Sequence, residues 1–113
     1  MTKERYTASE IISTKEGFGR ALVDAGERYP ELLAIGTDIT ESVGMNYFAE
    51  KYPQRFISIG IAEQNCVGVA VGLALEGKIP VMATYGVFAA HRPADQIRVS
   101  VCYNNLHVII GGA

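Results

Sequence analysis

One acid stands out in the most apolar part of this chain. Residues 57–78 read ISIGIAEQNCVGVAVGLALEGK, and Glu63 is the first charge among them. A carboxylate at the start of an apolar helix needs a hydrogen-bond partner, a cation or a retained proton. A helix N-terminus favours negative charge, so one reading of Glu63 is a satisfied structural glutamate. The other is a group held ready for proton chemistry, because perturbable acids collect in crevices. Both stand at this point. Four further residues fall in loops that should share one edge with it: Asp38, Tyr85, Phe88 and His91. Two carboxylates facing two aromatics suit a planar, nitrogen-rich ligand, with a ring face to stack on and an acid to bond a ring nitrogen. Each of the four also has a plainer role. Tyr85 and Phe88 can be core filling, Asp38 a cap or turn residue, and His91 an exposed or capping histidine.

Other chemistries are not signalled. The chain has no G-x-G-x-x-G and no G-x-x-x-x-G-K-[ST] phosphate cradle, and no G-x-S-x-G elbow. His91 and His107 have no ligand-like spacing with Cys66 or Cys102, so no metal site is expected among these residues. Both cysteines fall in expected apolar helices, which reads as buried free thiols in a reducing cytoplasm.

The bulk properties set the frame. A chain of 113 residues makes one domain with a single core. Ten Lys and Arg against twelve Asp and Glu leave a net charge of −2 without a polybasic run, which argues against nucleic acid or an anionic membrane as partner. The polar start, Met1–Glu10, does not resemble a signal peptide. The 57–78 stretch is interrupted by Glu63, Gln64 and Asn65 and is too short an apolar run to span a bilayer. A cytoplasmic location is expected.

The elements that must position these residues alternate. A lead-in covers residues 1–12. Ser13 with Glu16 forms a capping-box pattern, and Phe18, Leu22, Ala25 and Tyr29 follow at helical spacing until Pro30. Leu32–Gly36 is the first strand, opening into Thr37-Asp38-Ile39-Thr40. A helix is expected over Val43–Lys51, with Met45, Phe48, Ala49 and Tyr52 inward and Pro53 as its stop. Phe56–Ile59 is the second strand, Gly60 its turn, and Ala62–Glu76 the helix that carries Glu63. Ile79–Thr84 is the third strand, entered through Pro80. Tyr85–Phe88 is expected to turn the chain, and a helix runs from Ala90 to Cys102 with Pro93 in its first turn. Leu106–Ile110 is the fourth strand.

Strands that are continuous apolar runs, alternating with helices, predict an α/β fold: a mostly parallel sheet between two helical layers. The helix after Glu63 is apolar almost all round. Gly68 and Gly72 lie four apart on one face, where another backbone can approach closely. That helix exceeds what one small sheet can cover, so a homo- or hetero-oligomer is expected. The chain stops at Gly111-Gly112-Ala113 with no helix to cover its last strand, which reads as a fold incomplete at the C-terminus.

Several blocks together resemble a known family. Gly60-Ile61-Ala62-Glu63-Gln64-Asn65, Glu76-Gly77-Lys78-Ile79-Pro80, Thr84-Tyr85-Gly86-Val87-Phe88 and Asp95-Gln96-Ile97-Arg98 are similar to the pyrimidine-binding domain of the transketolase family. That family includes deoxyxylulose-phosphate synthase and is related to the β subunits of 2-oxo acid dehydrogenases. The register most resembles the C-terminal subunit of split transketolases. The resemblance covers residues 13–113 and implies the N-terminal portion of such a domain, in the thiamine-diphosphate-binding fold. It implies thiamine diphosphate as cofactor and a two-carbon ketol transfer between sugar phosphates as the activity. Glu63 matches the glutamate that bonds a ring nitrogen of the aminopyrimidine and so promotes proton loss from the thiazolium carbon. Phe88 matches the aromatic that stacks on the pyrimidine, Tyr85 lines the same pocket, and Asp38 and His91 fall at further cofactor-side positions.

The chain departs from the family pattern in two respects. The Gly-Asp-Gly…Asn signature that binds the diphosphate and Mg²⁺ is missing, so the resemblance implies a separate diphosphate-binding domain or subunit as partner. The substrate-contacting histidines would lie beyond Ala113, so the 113 residues alone are not expected to turn over sugar phosphates. Alternatives are a deoxyxylulose-phosphate-synthase-like or 2-oxo acid dehydrogenase β-like subunit, or a truncated subunit kept for structure. A receiver-like module with Asp38 as phospho-acceptor is a further alternative, but no lysine follows Leu106–Ile110 to serve it.

Overall fold

The structure is a computed structural model that describes residues 10–113. Residues 1–9 of the expected lead-in lie outside the described residues. Helix α1 (Thr14–Arg28) starts where the Ser13 hydroxyl accepts the Glu16 amide at 3.1 Å. The Glu16 carboxylate does not complete the box but pairs with Arg20 at 2.6 Å. Strand β1 (Leu32–Gly36) follows, then helix α2 (Asn46–Lys51), a 3₁₀ turn at Pro53–Arg55 and strand β2 (Phe56–Ser58). Helix α3 (Glu63–Leu75) leads to strand β3 (Ile79–Thr84), and helix α4 (Gly86–His91) to the short α5 (Ala94–Gln96). A π-helical turn over Ile97–Cys102 precedes strand β4 (Ile109–Gly112).

Among the described residues the sheet has four strands in the order β2-β1-β3-β4, every pair parallel. Its two faces carry separate cores, as strand alternation requires. Leu32, Ala34, Val81 and Ala83 face Leu22 of α1 and Met45 and Phe48 around α2. Ile35 and Met82 face Cys66, Val67 and Ala70 of α3 and Val101 of the π turn. Helices on both faces of a parallel sheet are the three-layer α/β arrangement that the apolar strand runs predict.

Four elements differ from expectation. Helix α2 starts at Asn46 rather than Val43, because Gly44 takes a left-handed φ of 79° that no helix accepts. That glycine lets the loop sit against α1, where a Cβ at Gly19 would overlap the Gly44 carbonyl oxygen and the Tyr47 ring. The expected turn at Tyr85–Phe88 is helical from Gly86, and the helix expected over Ala90–Cys102 is broken. Pro93 has no N–H for the Ala89 carbonyl, so α4 ends at His91 and the chain restarts at Ala94. Strand β4 is Ile109–Gly112 rather than Leu106–Ile110, because its register is set by pairing Val81 with Ile109 and Thr84 with Gly112.

Arg55 ties α1 to α2. Its guanidinium donates to the carbonyls of Gly26 at 2.8 Å, Pro30 at 2.9 Å and Tyr29 at 3.1 Å. Helix ends leave such carbonyls unpaired, and a cation there also meets the negative end of the dipole. The same guanidinium stacks over Tyr52 at 4.0 Å from the ring centroid. Arg55→Ala is expected to lower the unfolding free energy by about 2 kcal/mol, the range of bonds to charged groups. Arg55→Lys should recover only part of this, since an ammonium offers neither fork nor plane. Urea unfolding curves check both.

The two cysteines have different fates. Cys66 is fully buried as expected, but Cys102 is exposed, because the π turn rotates it away from the sheet side that holds Val101. Burial, with the charge of Glu63 second, pushes the Cys66 thiol from 9.0 up to about 12. Its proton is therefore held in the folded chain, and the stability this confers below pH 9.0 is lost as pH rises toward about 12. A thiol reagent at mildly alkaline pH should modify Cys102 and reach Cys66 only in denaturant. Rapid labelling of both in the native protein would contradict this burial.

Candidate functional site

The sheet order puts β1 at a switch point: the chain leaves it for β2 on one side, then returns to β3 on the other. Crevices at carboxyl ends beside such a point are where open α/β sheets bind ligands. Thr37 and Asp38 leave β1 there and Tyr85 leaves β3. The segment after β2 turns sharply. Gly60 takes a φ of 83°, and its carbonyl accepts the Ala62 amide at 2.8 Å. This turn makes Glu63 the first residue of α3 and leaves it only 4% exposed.

Of the partners open to this acid, the structure supplies a cation. Arg92 Nη1 lies 3.3 Å from both Glu63 carboxylate oxygens. Arg92 is the residue at which α4 stops before Pro93, and its carbonyl is held by Gln64 Nε2 at 3.2 Å. The Arg92 guanidinium carbon sits 3.6 Å from the centroid of the Phe88 ring. Phe88 in turn packs against Tyr85, with centroids 5.8 Å apart at 53°. Glu63, Arg92, Phe88 and Tyr85 thus form one continuous group along a cleft lined by Ile61, Ala62, Glu63, Gln64, Asn65 and Arg92.

Asp38 and His91 do not join this group. Asp38 is exposed in a left-handed turn with φ 71°, a conformation that Asp tolerates better than most residues. His91 is exposed at the end of α4. Among the described residues neither side chain has a hydrogen bond or ion pair.

Sequence spacing does not single out Arg92, which falls inside a helix expected to run unbroken from Ala90. The available signal is Pro93, which lacks the N–H that would continue the helix and so marks a boundary just after Arg92. Two buried hydroxyls also carry no sequence signal. Thr37 is 2% and Thr84 0% exposed, and neither Oγ1 has a partner among the described residues. They continue the β1–β3 register one step past Gly36 and Ala83, at the floor of the same edge.

The chemistry open to this arrangement follows from the loose hold on Glu63. A carboxylate has about four acceptor sites, yet one nitrogen serves both oxygens here at 3.3 Å. Tight charge-assisted bonds are about 2.7–2.9 Å. A buried acid so weakly satisfied has capacity for a stronger donor, and the aromatic pair beside it offers a ring face. These residues therefore fit a flat heterocycle that carries N–H groups.

Known proteins agree with this reading of the fold. The family described as "Transketolase, pyrimidine binding domain" matches residues 10–112. The 1-deoxy-D-xylulose-5-phosphate synthase of Dictyoglomus thermophilum is 46% identical over 100 residues, covering 88% of this chain and 16% of that protein. A solved structure described as a split gene transketolase, inactive β4 tetramer, superimposes with a TM-score of 0.81. It is 44% identical over 90% of this chain and 34% of that one. The transketolase from Leishmania mexicana, 21% identical, superimposes at 0.79 over 96% of this chain and 17% of that one, a likeness of fold alone. The chain thus spans a small part of each of these relatives. With the family's match running through the whole sheet and the Glu63 turn, this chain belongs to the transketolase family, as its pyrimidine-binding domain.

Proposed function

We propose that the chain supplies the pyrimidine-binding side of a thiamine-diphosphate-dependent transketolase, which transfers a two-carbon ketol unit between sugar phosphates. The observation that carries this reading is Glu63: an acid 4% exposed at the first turn of α3, loosely paired and beside an aromatic pair. Bound thiamine diphosphate supplies a thiazolium carbon that stabilises negative charge on the transferred fragment. Glu63 bonds the aminopyrimidine ring nitrogen through a shared proton, which a poorly solvated carboxyl is suited to carry and the ring nitrogen's lone pair to accept. Phe88 offers its face to the ring and Tyr85 closes the pocket behind it. Asp38 and His91 border the cofactor side from the β1 turn and the end of α4. Diphosphate and Mg²⁺ are held by a diphosphate-binding partner domain or subunit. Among the described residues no cluster of three acidic, histidine or cysteine side chains is placed to take a metal.

A second reading has a specific observation behind it, the 46% identity to a 1-deoxy-D-xylulose-5-phosphate synthase. Product analysis separates the two. Ketol exchange between sugar phosphates supports the first, and accumulation of 1-deoxy-D-xylulose 5-phosphate the second. In either case Glu63→Gln in the assembled enzyme should cost about 100-fold or more in turnover, the scale of a lost proton-transfer partner. Near-wild-type activity would count against the role given to Glu63.

The outer face of α3 supports an oligomer. Gly68 and Gly72 have open space where a Cβ would stand, and Leu75 is 67% exposed. Glycine inside a helix costs roughly 1 kcal/mol relative to alanine, so two of them on an open face suit a closely approaching second helix. Among the described residues no helix is long and apolar enough to cross a membrane. Gly72→Ala should raise helix stability in the separated chain yet weaken association, read by melting temperature and sedimentation velocity respectively.

A further inference from the structure

Arg92 engages both side chains to which the proposed function assigns the cofactor ring. Its Nη1 donates to Glu63 at 3.3 Å, and its guanidinium plane covers Phe88 at 3.6 Å from the centroid. A guanidinium is flat, carries N–H donors on its edge and stacks on aromatic faces. An aminopyrimidine is likewise flat and stacks on aromatic faces, and it presents an N–H to Glu63 once its ring nitrogen is protonated. Two such groups cannot share the one face of Phe88 that Arg92 covers while reaching Glu63. We infer that Arg92 is a built-in competitor of the aminopyrimidine, which must leave Glu63 and Phe88 for the cofactor to seat, and which thereby sets cofactor affinity. This inference rests on the reading of the chain as a thiamine-diphosphate-binding domain.

The geometry makes the exchange feasible in both directions. Glu63 is 4% exposed, and leaving such an acid without a partner is costly, so a resident cation has a purpose. The Arg92 side chain is 45% exposed, so it is already partly hydrated and loses little on turning outward. Its approach to Glu63 is longer than a tight ion pair and comes from one nitrogen only. The backbone supports a swing of the side chain alone. Gln64 anchors the Arg92 carbonyl and buried Pro93 follows, so the hinge lies beyond the Cα. A permanent structural pair would instead be expected to be buried on both sides.

The test is calorimetric titration of thiamine diphosphate, with Mg²⁺, into the complete enzyme that carries this chain, as wild type, Arg92→Met and Arg92→Lys. Methionine keeps an unbranched apolar body but offers Glu63 no donor. Arg92→Met should bind the cofactor about tenfold more tightly, with Arg92→Lys between it and the wild type. Melting provides a second readout, because an ion pair that opens on binding stabilises only the cofactor-free protein. Arg92→Met should melt lower than wild type without cofactor, and the gap should close or reverse at saturation. Equal or weaker cofactor binding by Arg92→Met, with a melting deficit that persists at saturation, would show a fixed structural pair and overturn the competition. If Arg92→Met does not fold, a Kd for Arg92→Lys no tighter than wild type overturns it equally. Failure of wild type and variants alike to bind thiamine diphosphate would overturn the cofactor reading itself, and this inference with it.

Discussion

The burial of one carboxylate at the foot of an apolar helix constrains everything around it. Glu63 is held 4% exposed by the Gly60 turn and by the packing of α3 on the sheet. A charge so placed must be matched, because the penalty for an unpaired buried acid is several kcal/mol. The match comes from 29 residues away in sequence, through Arg92. Its weakness is as informative as its presence. A single nitrogen at 3.3 Å leaves the acid underbonded, which is a poor way to stabilise a fold and a workable way to keep a group available.

The sheet makes that arrangement possible. Four parallel strands bring all their carboxyl ends to one edge, so the residues after β1, β2 and β3 meet although the sequence separates them. Separate cores on the two faces hold this edge rigid. On one side Arg55 locks the end of α1 to the turn before β2 through three carbonyls. On the other, Cys66, Val67 and Ala70 seat α3 on Ile35 and Met82, and so fix the direction in which Glu63 enters. The residues that place the acid are thus chiefly small apolar ones, whose role is close packing.

The Pro93 break links fold to site. A continuous helix from Ala90 to Cys102 would present Arg92 at a mid-helix position. The break itself falls at Pro93, whose φ of −99° and ψ of 18° leave the helix, while Arg92 stays helical, one turn after the Phe88 ring that its side chain covers, with its carbonyl accepting from Gln64. The π turn that follows adds a local departure from regular helix, and such turns are frequent at functional sites.

Alternation of apolar runs with amphipathic segments was enough, from sequence alone, to set the α/β class, the parallel sheet and most element positions. Strands β1 and β3 fall where their apolar runs place them, since a strand buried on both faces leaves an unbroken apolar signature. Glu63 was legible for the same reason: a charge stands out at the start of an otherwise apolar run, although the pattern alone left a structural and a functional reading open. The start of α2 and the register of β4 were decided by tertiary structure, respectively the approach of Gly44 to α1 and pairing with β3, whereas the break at Pro93 follows from the proline itself. The assembly of Glu63 with Arg92 and Phe88, and the exclusion of Asp38 and His91 from it, was likewise a tertiary outcome. A sequence pattern reports which side of an element is buried. Which distant side chain meets it depends on how two elements cross, and only the folded chain sets that.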